Sequence, residues 1–440
     1  MKTLPHFSLV LLFLLHGMGF AQTNKVDRIT KKYSAQLAVQ NQGVAILVKK
    51  NDSIATSSLG AFDLTANTVF NIGSATKTFT AILILQEVEK GNLQLSDPIS
   101  AYLNPIPNVA GTLSIASLLS HESGLGEVIG SSLETIFYAK NDSLYELNIV
   151  AHVPKNKPEK IGKFDYCNTN YILLGKILEK VTDQSYFDLL RERIFMPLKM
   201  KDTYPYVHKN IPHLAVPFHD AKAVTAYLDH RYFANIAYAA GSIASTLLDM
   251  ETFYTALFET ELLLKKESLQ MMMTSGNDTY GYGLFKPMAE HPNFFGHGGN
   301  NIGYAFRNGY NPATKELYLL FSNSRTIPLQ DALITDVHAY LNNKVIESFQ
   351  QIDLQRFKKY VGNYLLKEAD LNLSISLEDD RMYLISEAQG IKGELTQKSE
   401  TVLYDTTVGV TLTIIDGENQ NLTFQQNGFT TILHKMNSKD

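Results

Sequence analysis

The period of the hydrophobic pattern changes partway along this 440-residue chain, and that change limits the fold more than any other feature. After about Ile346, residues Leu371, Leu373, Ile375 and Leu377 alternate with polar residues, and Val410, Leu412 and Ile414 do the same. A period of two puts alternate side chains on one face of an extended strand and does not fit a helix. Turn signals at Asp379-Asp380, Asp416-Gly417 and Asn427-Gly428 separate such runs, which predicts roughly eight short antiparallel strands. A small all-β C-terminal barrel or sandwich over 346–440 is the natural reading.

Between about Val26 and Lys344 the pattern is different. Gly43 to Val48 and Glu316 to Phe321 read as buried strands, whereas Tyr171 to Val181 and Asp249 to Leu257 read as helices. Ala81 to Val88 is apolar nearly all round and ends a helical stretch at Gly91, so it predicts a helix in the middle of the domain. This mixture defines an α/β or α+β domain over 22–345. The length exceeds one ordinary compact core, and 45% hydrophobic with 19% charged residues is globular usage, so two or three folded domains are expected.

The first 21 residues read as an export signal. Lys2 supplies positive charge, Leu9 to Leu15 an apolar run, and Gly19-Phe20-Ala21 a small-x-small cleavage site. The run is far short of the roughly 20 residues that span a bilayer, so a periplasmic or secreted protein without a transmembrane anchor is expected. Cys167 is the single cysteine, which rules out an intramolecular disulfide. A formal net charge of −5 argues against nucleic acid as a partner and leaves a small-molecule substrate as the expectation.

Chemistry concentrates at three places. Asn71-Ile72-Gly73-Ser74-Ala75-Thr76-Lys77 holds an S-x-x-K pattern where the central helix begins, and helical spacing puts Ser74 and Lys77 on one face. That face continues through Ala81, Leu85 and Val88 into the interior. A serine hydroxyl needs a base, and a desolvated lysine has its pKa lowered enough to act as one. Alone, the four-residue pattern recurs by chance. The second place is Tyr166-Cys167-Asn168, a Y-x-N just before the helix near Tyr171. A phenol held near an ammonium is pushed toward phenolate and can relay a proton, while Asn168 can hydrogen-bond a substrate amide. The third is Gly296-His297-Gly298-Gly299-Asn300 before an apolar strand, where glycines let a substrate backbone approach a strand edge whose amides can hold an oxyanion. No G-K-[ST] follows, which excludes a phosphate loop, and Ser74 lacks the G-x-S-x-G frame of an α/β-hydrolase.

In this order, S-x-x-K, Y-x-N and H-G-G resemble the serine β-lactamase and penicillin-binding superfamily, with the nearest match in the class C β-lactamase-like branch. Val69 to Ser74, Leu118 to Leu125, Asn168 to Tyr171 and Tyr280 to Leu284 add to the resemblance, which spans about Val26 to Lys344. It implies an α+β domain with an antiparallel sheet flanked by helices, an all-helical subdomain, and the active site between them. By motif, Ser74 is the nucleophile, Lys77 and Tyr166 share the acid/base work, and Asn168 positions substrate. His297, Gly298, Gly299 and Asn300 form the substrate-binding strand, and the amides of Ser74 and Asn300 form the oxyanion hole. Acylation and deacylation then need no metal and no cofactor.

His297 stands where many members carry Lys. An imidazole of pKa about 6.5 is largely uncharged at neutral pH, which weakens recognition of a substrate carboxylate and favours an ester or another peptide over a β-lactam. Cys167 reads as a small filler without a paired base. His121 reads as part of a structural turn, and His208, His213 and His219 match no common metal spacing. Tyr204, Tyr206, Tyr280 and Tyr282 are candidates for cleft walls or for core packing. The leading expectation is an exported serine hydrolase that cleaves an ester or peptide acyl bond. A true β-lactamase or D-alanyl-D-alanine carboxypeptidase is one alternative, and a penicillin-binding-type sensor with little or no turnover is another.

Overall fold

The computed structural model describes residues 25–33, 43–60, 62–130, 148–219, 222–229, 232–287, 292–324, 327–346, 352–405, 408–415, 420–426 and 429–436. The export segment 1–21 lies outside these residues, as do the turns Asp416-Gly417 and Asn427-Gly428.

The chain divides into two compact units, 1–27 with 41–325, and 28–40 with 326–440. In the first, strands β1 (Gly43–Lys50), β2 (Ser53–Gly60), β3 (Gly299–Asn301), β4 (Tyr304–Asn311) and β5 (Glu316–Ser322) form one antiparallel sheet in the order β2-β1-β5-β4-β3. β1 is buried at every residue, which is why it reads as an unbroken apolar run and not as an alternation.

Helix α1 (Thr76–Glu89) has buried residues on all sides from Thr76 to Leu85 and runs through the core as its pattern predicts. Gly91, at φ +75°, takes the left-handed conformation that ends it. Helix α2 (Asn168–Thr182) packs against α1, and helix α3 (Leu247–Glu259) packs on β1 and β5. The Phe79 ring of α1 stacks on Phe253 of α3 with centroids 3.8 Å apart. The sheet, α3, α1 and α2 therefore share one core, and the start of α1 is fixed by everything around it.

The second unit contains helix α4 (Ile327–Leu341) and eight strands: β6 (Gly362–Leu366), β7 (Leu371–Glu378), β8 (Arg381–Ser386), β9 (Ile391–Ser399), β10 (Val402–Asp405), β11 (Val410–Ile414), β12 (Leu422–Gln426) and β13 (Phe429–Lys435). They pair in sequence order, and Tyr364↔Lys435 and Leu365↔His434 close the ring, so the structure chooses the barrel over the sandwich. Asp379 and Asp380 both have positive φ, the geometry of a two-residue hairpin turn between β7 and β8. In this division α4 falls in the second unit. Lys32 and Tyr33 bind Asp336 of α4 at 2.7 and 2.8 Å, and Asp331 and Asp336 act electrostatically on Tyr404 of β10. Those links group α4 and the segment from Arg28 with the barrel.

Candidate active site

Ser74 sits in a single 3-10 turn, Gly73–Ala75, that runs straight into α1. Asn71 fixes this turn. Its amide nitrogen donates to the carbonyls of Gly241, Ser242 and Ile243 at 3.1, 3.2 and 2.8 Å, and its oxygen accepts from the Gly73 amide at 3.0 Å. β3 runs past the same turn. A Cβ on Gly299 would lie 2.0 Å from the Ile72 carbonyl oxygen and 2.7 Å from the Ser74 nitrogen, so only glycine fits there. From the other side, a Cβ on Gly73 would lie 3.0 Å from the Asn300 nitrogen, so the turn and the strand approach closely at Ser74 and Asn300.

Lys77 is fully buried. Its Nζ lies 3.0 Å from Ser74 Oγ, 2.7 Å from Asn168 Oδ1 and 2.8 Å from the Ala240 carbonyl oxygen. Burial pushes its pKa down to about 7, against smaller upward contributions from Glu127 and Cys167. Two of the three neighbours can only accept. When Lys77 is neutral, its two N–H groups go to Asn168 and Ala240, and its lone pair is left facing the Ser74 hydroxyl. The lysine is thus a base aimed at one proton.

The Ser74 side chain acts on the Tyr166 hydroxyl, and the Tyr166 ring lies 4.9 Å from Lys77 Nζ and parallel to Phe285. Its phenol is not pushed toward phenolate as the sequence reading anticipated. Burial raises its pKa, outweighing the lowering by the Ser74 side chain, and Glu127 adds to the rise. In the resting site Tyr166 keeps its proton and is able to donate it.

The α2 N-terminus places Asn168. Its amide nitrogen donates to Glu127 Oε2 at 3.0 Å while its oxygen accepts from Lys77, so its orientation is set from both ends. Glu127 Oε2 also accepts the Asn168 backbone N–H at 2.8 Å, and Oε1 accepts from Ile129 at 2.8 Å. The half-buried carboxylate therefore caps α2, where an anion is favoured, and puts a negative charge beside the base.

His297 departs from the expected role. The ring is 1% exposed, its Nε2 pairs with the Tyr280 hydroxyl at 2.8 Å, and its Nδ1 lies 2.7 Å from the Gly298 carbonyl, which only accepts. Burial, then the Lys77 charge, pushes its pKa down to about 3. His297 is neutral and braces the substrate strand from behind; it offers no cation to substrate. The cation beside that strand is Arg307 of β4, whose Nη1 donates to Asn300 Oδ1 at 3.1 Å.

His121 is structural, as expected, but close to the chemistry. At φ +59° it turns its ring to within 4.3 Å of the Tyr166 ring, and its Nδ1 pairs with the Cys167 N–H and the Asn170 side chain, both at 3.1 Å. Burial holds it far below the usual imidazole pKa. The Cys167 thiol is buried and pushed up to about 11 by that burial, which suits a filler. Tyr280 is core and not rim, fully buried against His297.

Sequence reasoning missed Glu127, Asn170, the Ala240 carbonyl and Arg307. Glu127 is one of 44 acids with no local mark, and a backbone carbonyl leaves no residue-type signal at all. Ala239-Ala240-Gly241 carried a faint one, since small residues mark a close approach between elements.

A buried base aimed at a serine, a buried phenol able to donate its proton and a glycine strand close against the nucleophile's turn define a serine hydrolase. The profile of the Beta-lactamase family matches residues 26–340, and the chain belongs to that family. It is 25% identical over 421 residues to a penicillin-binding protein of Bacillus subtilis (strain 168), covering 88% of this chain and 92% of the relative. It is 28% identical over 255 residues to the teichoic acid D-alanine hydrolase of Staphylococcus aureus, covering 53% and 58%. The solved structure of an octameric penicillin-binding protein homologue from Pyrococcus abyssi shares the fold with a TM-score of 0.61 at 23% identity, over 94% of this chain and 98% of that one.

Proposed function

We propose that this protein is an exported hydrolase that cleaves ester or amide acyl bonds through an acyl-enzyme on Ser74, with D-aminoacyl substrates of cell-wall type as the favoured class. The observation that carries the reading is the neutral-state geometry of Lys77, whose lone pair has only the Ser74 hydroxyl to meet. Lys77 takes the Ser74 proton as Oγ attacks the carbonyl carbon. The oxyanion forms against the Ser74 and Asn300 amides, and Tyr166 passes a proton to the leaving alcohol or amine as the acyl bond breaks. A water then attacks the ester on Ser74 by the reverse path and frees the acid.

The Glu127 carboxylate beside Asn168 favours a substrate with an ammonium near its scissile carbonyl, as a D-alanyl ester has. This agrees with the name of the Staphylococcus aureus relative. Arg307 beside Asn300 supports a second reading, a β-lactamase or D-alanyl-D-alanine carboxypeptidase, because its guanidinium can pair with a substrate carboxylate. Export rests on the Lys2 to Ala21 pattern. Among the described residues no helix is long and apolar enough to cross a membrane.

A fluorophosphonate probe is expected to label wild type and not Ser74→Ala; equal labelling would overturn the assignment. A panel of D-alanyl p-nitrophenyl ester, p-nitrophenyl acetate and nitrocefin then ranks the readings. Nitrocefin turnover exceeding that of both esters would favour the second.

A further inference from the structure

We propose that one end of the C-terminal barrel binds a small apolar molecule with a single hydrogen-bonding head, of the size of a short alkylphenol. Alternation sends every second residue of β6–β13 inward, and at one end these side chains, among them Tyr364, Met382 and Leu412, pack against one another. The same cluster continues to the other end, where it leaves open volume. A cavity of about 220 Å³ remains, walled by Leu373, Leu384, Val410 and Phe424, with Phe429 at its edge 45% exposed. An apolar cavity of about 150 Å³ is enough to hold benzene, so this one takes a ring with a short alkyl tail.

Ser386, Gln389 and Gln426 are the polar side chains of the lining, and Gln426 Nε2 already donates to the Val408 carbonyl at 2.8 Å. Ser386 lies two residues after Leu384 on β8, shares its inward face, and lines the cavity at 2% exposure. Its hydroxyl has no hydrogen-bond partner among the described residues. A buried hydroxyl without a partner is unfavourable, and a ligand hydroxyl at that point relieves it. The other buried polar side chains of the strands, Gln397 and Asp405, do not line the cavity, and Gln397 already accepts from the Asp353 amide at 2.8 Å. A mostly apolar wall with a few polar groups, one of them a buried hydroxyl without a partner, is the usual form of a small-molecule site.

Calorimetric titration of the full chain with 4-ethylphenol and with ethylbenzene tests this. Both are expected to bind saturably with one site per chain. Ser386→Ala is expected to weaken 4-ethylphenol by roughly 3- to 10-fold, the worth of one hydrogen bond, and to leave ethylbenzene unchanged. Leu384→Phe, which fills the cavity, is expected to abolish both while p-nitrophenyl acetate hydrolysis continues. If Leu384→Phe loses its folded circular-dichroism signal, Val410→Met fills the same space more gently and takes its place. No saturable binding to wild type, undiminished binding to a folded cavity-filling variant, or an equal loss of both ligands in Ser386→Ala would each overturn the proposal.

Discussion

Buried polar side chains are used in opposite ways in the two units. Around Ser74, the side chains of Lys77, His121, Asn170 and His297 are all at most 1% exposed and each is hydrogen-bonded by segments far away in sequence, with His121 Nε2 the one ring nitrogen left without a partner among the described residues. In the barrel the interior is almost wholly apolar, and Ser386 stands unpaired beside open volume. Burying a polar group without partners is costly, so a paired cluster of this density marks a place where the fold has been shaped around chemistry. The barrel needs only strands in register and a few side chains too small to fill one end. Catalytic work therefore belongs to the first unit, and the second offers space.

Lys77→Met should break this contrast most sharply. It replaces the most constrained polar group with an apolar one of similar length, and a loss of ester hydrolysis of roughly three orders of magnitude or more is expected. The thermal midpoint should change little, because relief from burying an amine offsets the cost of leaving the Asn168 and Ala240 oxygens without a donor. Linkage gives the sign of a second effect. Lys77 sits at about 7 in the folded protein against an ordinary 10.5, so between these values the unfolded chain holds a proton that the folded chain lacks. Wild-type stability attributable to this group rises with pH across that window, and the rise should vanish in Lys77→Met. Denaturant titrations at several pH values measure it; identical slopes would mean that Lys77 is not depressed.

Gly299→Ala addresses the strand approach. The added Cβ meets backbone at the Ile72 oxygen and the Ser74 nitrogen, atoms that cannot move without disturbing the nucleophile's turn. A fall in kcat of about 10²-fold is expected, with labelling of Ser74 slowed in parallel. Full activity would place the oxyanion donors elsewhere.

The smallest expected effect is on pH dependence. kcat/KM for a neutral ester should rise as Lys77 loses its proton near pH 7, and His297, held at about 3, should add no limb between pH 5 and 8. Glu127→Gln removes a charge that holds the Lys77 pKa up, so the acidic limb should move to lower pH. KM should rise for a D-alanyl ester and stay level for acetate. A limb that does not move would show that Glu127 acts only as a cap for α2.

Local pattern carried a large part of this structure because the relevant forces are local. α1 was legible because a helix without a polar face has to be central, and the eight strands because a period of two admits no helix. Ser74, Lys77, Tyr166 and Asn168 were marked by the ordered motifs S-x-x-K, Y-x-N and H-G-G through their resemblance to a family, and the structure places the four residues together. The details of charge were not legible. A phenol beside a lysine suggested phenolate, yet burial dominates and the lysine is the group that gives up its proton.

Local pattern in the chain established a mixed domain followed by a set of short antiparallel strands, and the resemblance of its motifs implied a serine, a lysine and a tyrosine at one site beside a glycine-rich strand. Tertiary structure alone decided the rest, because pKa and hydrogen-bond partner depend on what lies within a few ångströms and not on neighbours in the chain. Packing made Lys77 a base, turned His297 into a neutral brace behind its strand, brought Glu127 to the start of α2, and left the barrel with an open end.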